Sequence, residues 1–579
     1  MSEPQTADQT AHPAQPGLPT QSPPALSPQA LAKALGLPAP TPEQSRVIAH
    51  PLTPLLVVAG AGSGKTATMS QRVVHLVASG AVRPDQILGL TFTRKATAEL
   101  ASRVSTRLGQ LADARLLPGA GQSSGSAANA AELGEPTIST YNAFAAALVR
   151  DHGLGIGIDP DATLITAARA WQIVDDLLAE RTTPLPLDPT PTTVRSVLRV
   201  DGALSENLLS VEDAAEGLED LHQLFAGLAG IRGLSGLFKG KAGTMATQRA
   251  LLDLAAEYRE HKRRHGLVDF GDQIALACRI VDEVPGAARA LGEQYPAVLL
   301  DEFQDTSVAQ SLLLSRLFAG GGVTAVGDPN QAIYGWRGAS AGALDSFHAR
   351  FNPAGAQAAA AGADPTRATP VLPLSTAWRN DQRILDAANI ISAPLRAHHP
   401  QSGDAAVEHI PVARLAPRPA SAGLAEGAVH AAFLPDPLAE AQAVADFMER
   451  RWGPSAELAV LSRTRSQLTP VVDALEKRGI PYEVVGIGGM LSVPEVADLR
   501  ALIAAAADPE RGDRLMRLLS AGDIGAADLR ALNALARRHA RAPQGPASQD
   551  DAPEAPLLTE ALEAIARRAE EPGGGGPIE

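Results

Sequence analysis

The chain has 579 residues, 45% hydrophobic and 20% charged, enough for three or four globular domains, which excludes a wholly disordered chain, a collagen or a coiled coil. A formal net charge of −14 argues against a grip on nucleic acid by the whole surface, though not against a local basic groove. The single cysteine, Cys278, rules out an internal disulfide or a thiolate metal cage and points to a reducing cytoplasm; no signal peptide opens the chain, and no apolar window of about 18 residues predicts a membrane span.

In chain order, residues 1–40 are rich in Pro, Gln, Ala and Ser and predict a disordered tail. LLVVA at 55–59 is a continuous apolar run, as a parallel strand covered on both faces requires. A glycine-rich loop and a helix to about residue 79 follow it. ILGLTF (87–92), AVLLDEF (297–303) and VTAVGD (323–328) predict three more such strands. The stretch 160–290 has helical periodicity and few strand signals, so it reads as a helical insertion. A second α/β pattern begins near 371, with AELAVLS (456–462) as its clearest strand, and from about 504 the pattern is helical. The 52 Gly and 45 Pro, about 17% of the chain against a usual share of about 12%, gather in tracts such as 112–136, 353–370, 401–425 and 541–556, which read as surface insertions. The fold class is α/β, with parallel sheets interrupted by helices.

AGAGSGKT directly follows the first strand and opens a helix. The residues Ala59, Gly60, Ala61, Gly62, Ser63, Gly64, Lys65 and Thr66 make a phosphate-binding loop. Backbone N–H groups of such a turn converge on phosphate oxygens, and the helix N-terminus adds its positive end. Lys65 is placed to reach the β and γ phosphates of ATP, and Thr66 offers a hydroxyl to Mg²⁺. Ala59 stands where the strict pattern has Gly. The loop does not itself say which reaction follows. Asp301 and Glu302 end the strand VLLDEF; on its own such a pair is a common strand end. Beside a phosphate loop in one parallel sheet, Asp301 suits a Mg²⁺ ligand and Glu302 suits a base that orients and deprotonates water.

DEFQDTS (301–307) and GDPNQAIYGWRGA (327–339) together resemble the superfamily 1A DNA helicases, the UvrD/Rep/PcrA group. The resemblance runs in order through TPEQSRVI (41–48), TFTRKATAEL (91–100), ISTYNAF (138–144), VDFGD (268–272), STAWRN (375–380) and AVLSRTRSQ (459–467), and covers about residues 41–535. It implies a P-loop NTPase fold of RecA-like parallel sheets with helical insertions. The implied organisation is a first RecA-like domain at 41–150 and 268–350, a helical insertion at 151–267, a second, incomplete RecA-like domain at 371–503, and the start of a further helical insertion with a disordered end at 504–579. The resemblance makes Gln44 the adenine reader, Trp378 a stacking partner of adenine, Gln331 a γ-phosphate sensor linked to the DNA groove, and Arg379 a γ-phosphate ligand from the second domain. It puts Thr91, Phe92, Arg94, Tyr334, Trp336 and Arg337 along single-stranded DNA, with Phe92 and Trp336 stacking on bases.

The implied activity is an ATP-dependent 3′-to-5′ DNA helicase acting in repair or recombination, with ATP and Mg²⁺ as cofactors. Its partners would be single-stranded DNA and duplexes with a 3′ tail, joined in some branches by a protein partner subunit, with no membrane. Departures exist: Ala67 where the family often has Arg, Asn142 where it has His, and STAWRN in place of QNYRS. They point away from the housekeeping helicases, toward a branch such as the AdnB-like helicase–nucleases. The family's later TIHxAKGLE-like and VxxTRA-like strings do not occur, so the sequence is expected to cover the family's N-terminal part. Two alternatives stay open: a motor subunit of a helicase–nuclease, and an ATP-gated DNA-binding subunit that does not unwind. A small-molecule kinase leaves the strings around Phe92 and Trp336 unexplained.

Overall fold

The computed structural model describes residues 26–117, 134–160, 162–181, 190–231, 235–335, 342–360, 368–396, 410, 412–485, 494–507, 512–521 and 524–539. The chain divides into two compact units, Met1–His430 and Ala431–Glu579.

The first unit is built on a six-stranded, all-parallel sheet: β1 (Leu55–Ala59), β2 (Ile87–Thr91), β3 (Thr137–Thr140), β4 (Ala297–Leu300), β5 (Gly322–Gly327) and β6 (Val371–Leu374), in the order β3–β2–β4–β5–β1–β6. The register sets Val57 opposite Val326 on one side and Leu372 on the other. Alternation along each strand divides the apolar run between two cores. Leu55, Val57, Ile87 and Leu299 pack with helices α1 (Pro28–Ala34), α2 (Pro42–Ile48), α3 (Lys65–Ala78) and α4 (Arg94–Asp113). Leu56, Leu88, Leu90 and Leu300 pack on the opposite face, with side chains from Tyr141–His152, α6 (Phe270–Glu283) and α7 (Val308–Phe318). Coverage of both faces is why these strands read as unbroken apolar runs.

Three expectations are corrected here. Part of the predicted N-terminal tail is ordered: Ser27 caps α1, Pro28 takes its first turn, and Leu31, Ala32 and Leu35 are buried against the sheet's helices. The i, i+4 spacing of Leu31 and Leu35 carries that helix through a Pro- and Ala-rich sequence. The second α/β pattern, expected from 371, opens on β6, which pairs with β1 and so completes the first sheet. Residues 456–462 form no strand; among the described residues of the second unit there is no strand for them to pair with, and Leu461 is almost fully exposed.

Between 163 and 268 the first unit carries its helical insertion. A two-residue parallel ladder, Thr163–Leu164 with Leu267–Val268, closes the neck. Ala167–Ala179, Pro191–Asn207 and the second half of α5 (Ser235–Arg264) enclose a separate small core of Ile173, Val197, Leu254 and Tyr258. At its base Lys262, 3% exposed, donates to Asp201 (3.1 Å), Asp269 (2.7 Å) and Asp272 (3.1 Å), and Arg259 closes on Asp201 (2.5 Å) and on Ser205 (2.8 Å). The second unit is helical, with a core of Ala441, Ala445, Val471, Ala474, Leu475 and Ile480 between Pro437–Glu449 and Leu468–Glu476. Among the described residues no helix is long and apolar enough to cross a membrane.

Candidate nucleotide site and nucleic-acid face

The predicted site residues of the first sheet gather at the C-terminal ends of its strands, where open α/β sheets form their ligand crevice. After β1 the backbone turns through Gly62 and Gly64, at φ +72° and +82°, a region that favours glycine, and α3 starts at Lys65. The unbonded N–H groups of the first turn of α3 thus lie at the loop's mouth, with Thr66 as its second residue. Ser63 is buried, and its Oγ has no hydrogen-bond partner.

Gln44 sits against this loop. Thr41 N donates to its Oε1 (3.0 Å), which closes a capping box at the start of α2, and its Nε2 donates to the Ser63 carbonyl (3.4 Å). Two clips hold α2 there. Buried Arg72 of α3 donates to the carbonyls of Val47 (2.9 Å), His50 (2.6 Å) and Pro51 (3.1 Å) at its end, and to Thr324 Oγ1 of β5 (3.0 Å). Burial lowers the Arg72 pKa to about 10, still far above neutral, and the carbonyls face the cation with the helix's negative end. Glu43 accepts from Ser375 N (2.8 Å) and Ser375 Oγ (2.7 Å), just after β6. Three residues on, Trp378 N donates to the Gly62 carbonyl (2.8 Å), and the indole, 37% exposed, lies beside Gly64. Arg379 passes so close to Gly62 that a Cβ there would be 2.9 Å from its own Cβ. Gln44, Trp378 and Arg379 are therefore brought to the phosphate loop within a single unit, although Arg379 was expected from a second domain.

The acidic side of the site rises from β4. Lys65 Nζ donates to Glu302 Oε2 (2.9 Å). Glu302 is in the left-handed region at φ +50°, strain that a non-glycine residue keeps where its side chain must be aimed. Asp301 is 5% exposed and its Oδ1 has no partner. Burial, and then the charge of Glu302, pushes its carboxyl up to about 6 against the pull of Lys65. The same two causes bring Asp305, whose Oδ1 is also unpartnered, to about 6. A buried carboxylate with an unpartnered oxygen fits a Mg²⁺ that takes its remaining ligands from phosphate, water and a hydroxyl such as that of Thr66. Three carboxylates also push the Tyr141 phenol well above its usual range, after burial itself, and its hydroxyl donates to the Asp301 carbonyl (2.9 Å).

From Glu302 a chain of contacts leads across the strand ends. Gln304 Nε2 donates to Glu302 Oε2 (2.8 Å), and Gln304 Oε1 accepts from Asp328 N (3.0 Å) after β5. Gln331 Nε2 donates to Asp328 Oδ2 (2.6 Å). The amide of Ile333 bonds to Asp305. Next to it, the Tyr334 ring lies 4.7 Å from that of Phe92, at 36°, which joins the loops after β5 and β2 in one aromatic surface. Exposed Arg94 opens α4 two residues after Phe92, behind the N-cap Thr93. Thr91 departs from expectation: it is fully buried as the last residue of β2, and its hydroxyl is paired with Thr97 (2.6 Å). A central strand covered on both faces leaves no side chain for DNA until the residue that follows it. Trp336 and Arg337 lie outside the described residues.

Sequence reasoning missed Gln304, Asp305, Asp328 and Tyr141. All four stand inside quoted strings, Gln304 and Asp305 in DEFQDTS, Asp328 in GDPNQAIYGWRGA and Tyr141 in ISTYNAF, but their roles show only through contacts between strands far apart in the chain. Asn142, a departure from the expected His, accepts from Gln310 Nε2 (3.0 Å) at the start of α7, so this position is tied to the segment after Glu302.

Residues 40–352 match the family described as UvrD/REP helicase N-terminal domain. Among curated proteins, the chain is 25% identical over 501 residues to the ATP-dependent DNA helicase PcrA of Leuconostoc citreum, covering 84% of this chain and 55% of that protein. It is 26% identical over 498 residues to the ATP-dependent DNA helicase UvrD1 of Mycobacterium tuberculosis, again 84% and 55%. With the ATP-dependent DNA helicase PcrA of Bacillus subtilis the identity is 25% over 485 residues, 83% and 54%. The chain thus spans about half the length of the curated relatives it matches.

Proposed function

This chain belongs to the UvrD/REP helicase family, and on that premise we propose that it binds and hydrolyses MgATP and couples the cycle to its grip on single-stranded DNA, as an ATP-dependent DNA helicase of 3′-to-5′ polarity in repair or recombination. The observation that carries the coupling is the run of contacts from Lys65 through Glu302, Gln304 and Asp328 to Gln331, with Tyr334 and Phe92 at its far end. Polarity and repair context rest on the family resemblance alone.

A triphosphate seated in the loop competes with Glu302 for the ammonium of Lys65. When Lys65 turns to phosphate, Glu302 keeps its bond to Gln304 Nε2, which holds the carboxylate oriented to take a proton from water. Trp378 flanks the base and Arg379 approaches the γ-phosphate. Asp301 and Thr66 would hold Mg²⁺, which supplies charge neutralisation at the β and γ oxygens. Any shift of Glu302 pulls on Gln304, and Gln304 is bonded to the loop that leads to the aromatic surface. Flat rings stack on any base, as movement along arbitrary sequence requires.

The non-motor alternative has no use for a strained Glu302 held by two partners. Phosphate release with and without an oligodeoxythymidylate separates the readings. We expect DNA to raise release by the parent chain, and Glu302→Gln to abolish the increase while MgATP still binds, a loss of about 10²–10⁴ in rate. Release that ignores both DNA and Glu302→Gln contradicts the proposal. A 3′-tailed and a 5′-tailed duplex then read out polarity.

A further inference from the structure

Trp378 and Arg379 sit on a short turn between the two-residue strand Thr376–Ala377 and the helix Gln382–Ile391. One strand pair leads into it: Thr376–Ala377 lies parallel to Ala416–Pro417, in the register Thr376 to Ala416 and Ala377 to Pro417. Arg418 follows at the end of this ladder. Its Nη1 donates to the carbonyls of Trp378 (3.3 Å) and Asn380 (2.9 Å), the residues on either side of Arg379. Its Nη2 donates to Asp381 Oδ1 (2.7 Å) and to the Gly423 carbonyl (2.9 Å). The side chain is 13% exposed, so this fork works away from bulk water. The turn is pinned from the other side by the Trp378 N–H bond to Gly62.

From this geometry we infer that Arg418 is a positioning residue for nucleotide binding: it fixes the backbone around Arg379 so that the Trp378 indole and the Arg379 guanidinium are held against the phosphate loop. The inference rests on the nucleotide reading of that loop. Arg418 itself need not touch nucleotide. A planar fork with two pairs of N–H donors is what the four acceptors demand. Lysine keeps the charge facing Asp381 but cannot span the two carbonyls and Gly423 together.

The test is a double-mutant cycle with Mg²⁺ and N-methylanthraniloyl-ATP as the fluorescent probe. The chains are the parent, Lys65→Ala, Trp378→Ala, Arg418→Ala, Arg418→Lys and Trp378→Ala/Arg418→Ala, each checked for its melting temperature. We expect Arg418→Ala to weaken the probe about tenfold and Arg418→Lys to weaken it with the melt retained, because charge-assisted bonds to the turn are lost. On the Trp378→Ala background the further loss from Arg418→Ala should be smaller, reduced to the part carried through Arg379, since residues in one network are not additive. Arg418→Lys at parent affinity overturns the inference, as do losses that simply add. If Trp378→Ala weakens the probe and neither Arg418 variant does, Arg418 alone has been misassigned. If Trp378→Ala and Lys65→Ala both bind as the parent does, the nucleotide reading itself has failed.

Discussion

Lys65 and Lys262 each stand among three carboxylates, and the two clusters are wired differently. Lys262 is buried in the neck of the helical insertion and spends its three N–H donors on Asp201, Asp269 and Asp272, with Arg259 as a second cation. Burial alone would lower its pKa, but the three carboxylates outweigh that and hold the ammonium above its usual range. Lys65 makes one ion pair, to Glu302, while Asp301 and Asp305 each leave a buried oxygen without a partner. A satisfied cluster of this kind is a fastening. Buried acceptors left open next to a glycine-rich loop have unused capacity for a cation, and that supports reading the second cluster as a binding site.

The largest expected difference between the two lysines is in stability. Lys262→Met leaves buried Asp201 with Arg259 alone and takes the cation from half-buried Asp269 and Asp272, and should cost about 3–5 kcal/mol in urea unfolding, whereas Lys65→Met should cost less than about 1 kcal/mol, since its one pair is partly exposed. Equal costs would mean that Lys65 too is a structural fastening.

The comparison sharpens with pH. Asp301, whose carboxyl in the fold is raised to about 6, keeps a proton that the unfolded chain has released between about pH 4 and 6. The stability it lends at pH 4 is therefore lost as pH rises through about 6. Asp301→Asn stays neutral throughout, so at pH 7.5 the variant should be more stable than the parent by about 1–3 kcal/mol, and at pH 4 the two should agree. Added MgATP should stabilise the parent and not the variant. Thermal melts at the two pH values check this; a parent that gains stability from pH 4 to 7 relative to Asp301→Asn contradicts the assignment.

An effect of about the same size is expected at the far end of the contact chain. Tyr334→Ala should weaken binding of an oligodeoxythymidylate by about 1–3 kcal/mol, with MgATP affinity measured without DNA nearly unchanged. Fluorescence anisotropy at fixed salt reads it, and parent-like affinity would return Tyr334 and Phe92 to simple packing.

The glycine-rich loop and the Asp301–Glu302 pair are legible in the sequence because each is contiguous and follows an apolar strand, so local spacing fixes where they stand in the sheet. Thr91 was not: its type suits DNA contact, but only the sheet order shows β2 covered on both faces. Arg418, Glu43 and Tyr141 act across separations of 40, 332 and 160 residues, and no spacing rule reaches that far. The helix at 28–34 hid in a composition typical of tails, and the strand expected at 456–462 fails for want of a neighbour, which its own residues cannot reveal.

The most direct test of the contrast between the two lysines is calorimetric titration of MgATP into the parent chain and Lys65→Ala. The account predicts one MgATP site in the parent that weakens at least about tenfold in Lys65→Ala, with loss of a charge-assisted phosphate contact, while the melting temperature hardly moves. Equal MgATP affinity in the two chains would contradict it.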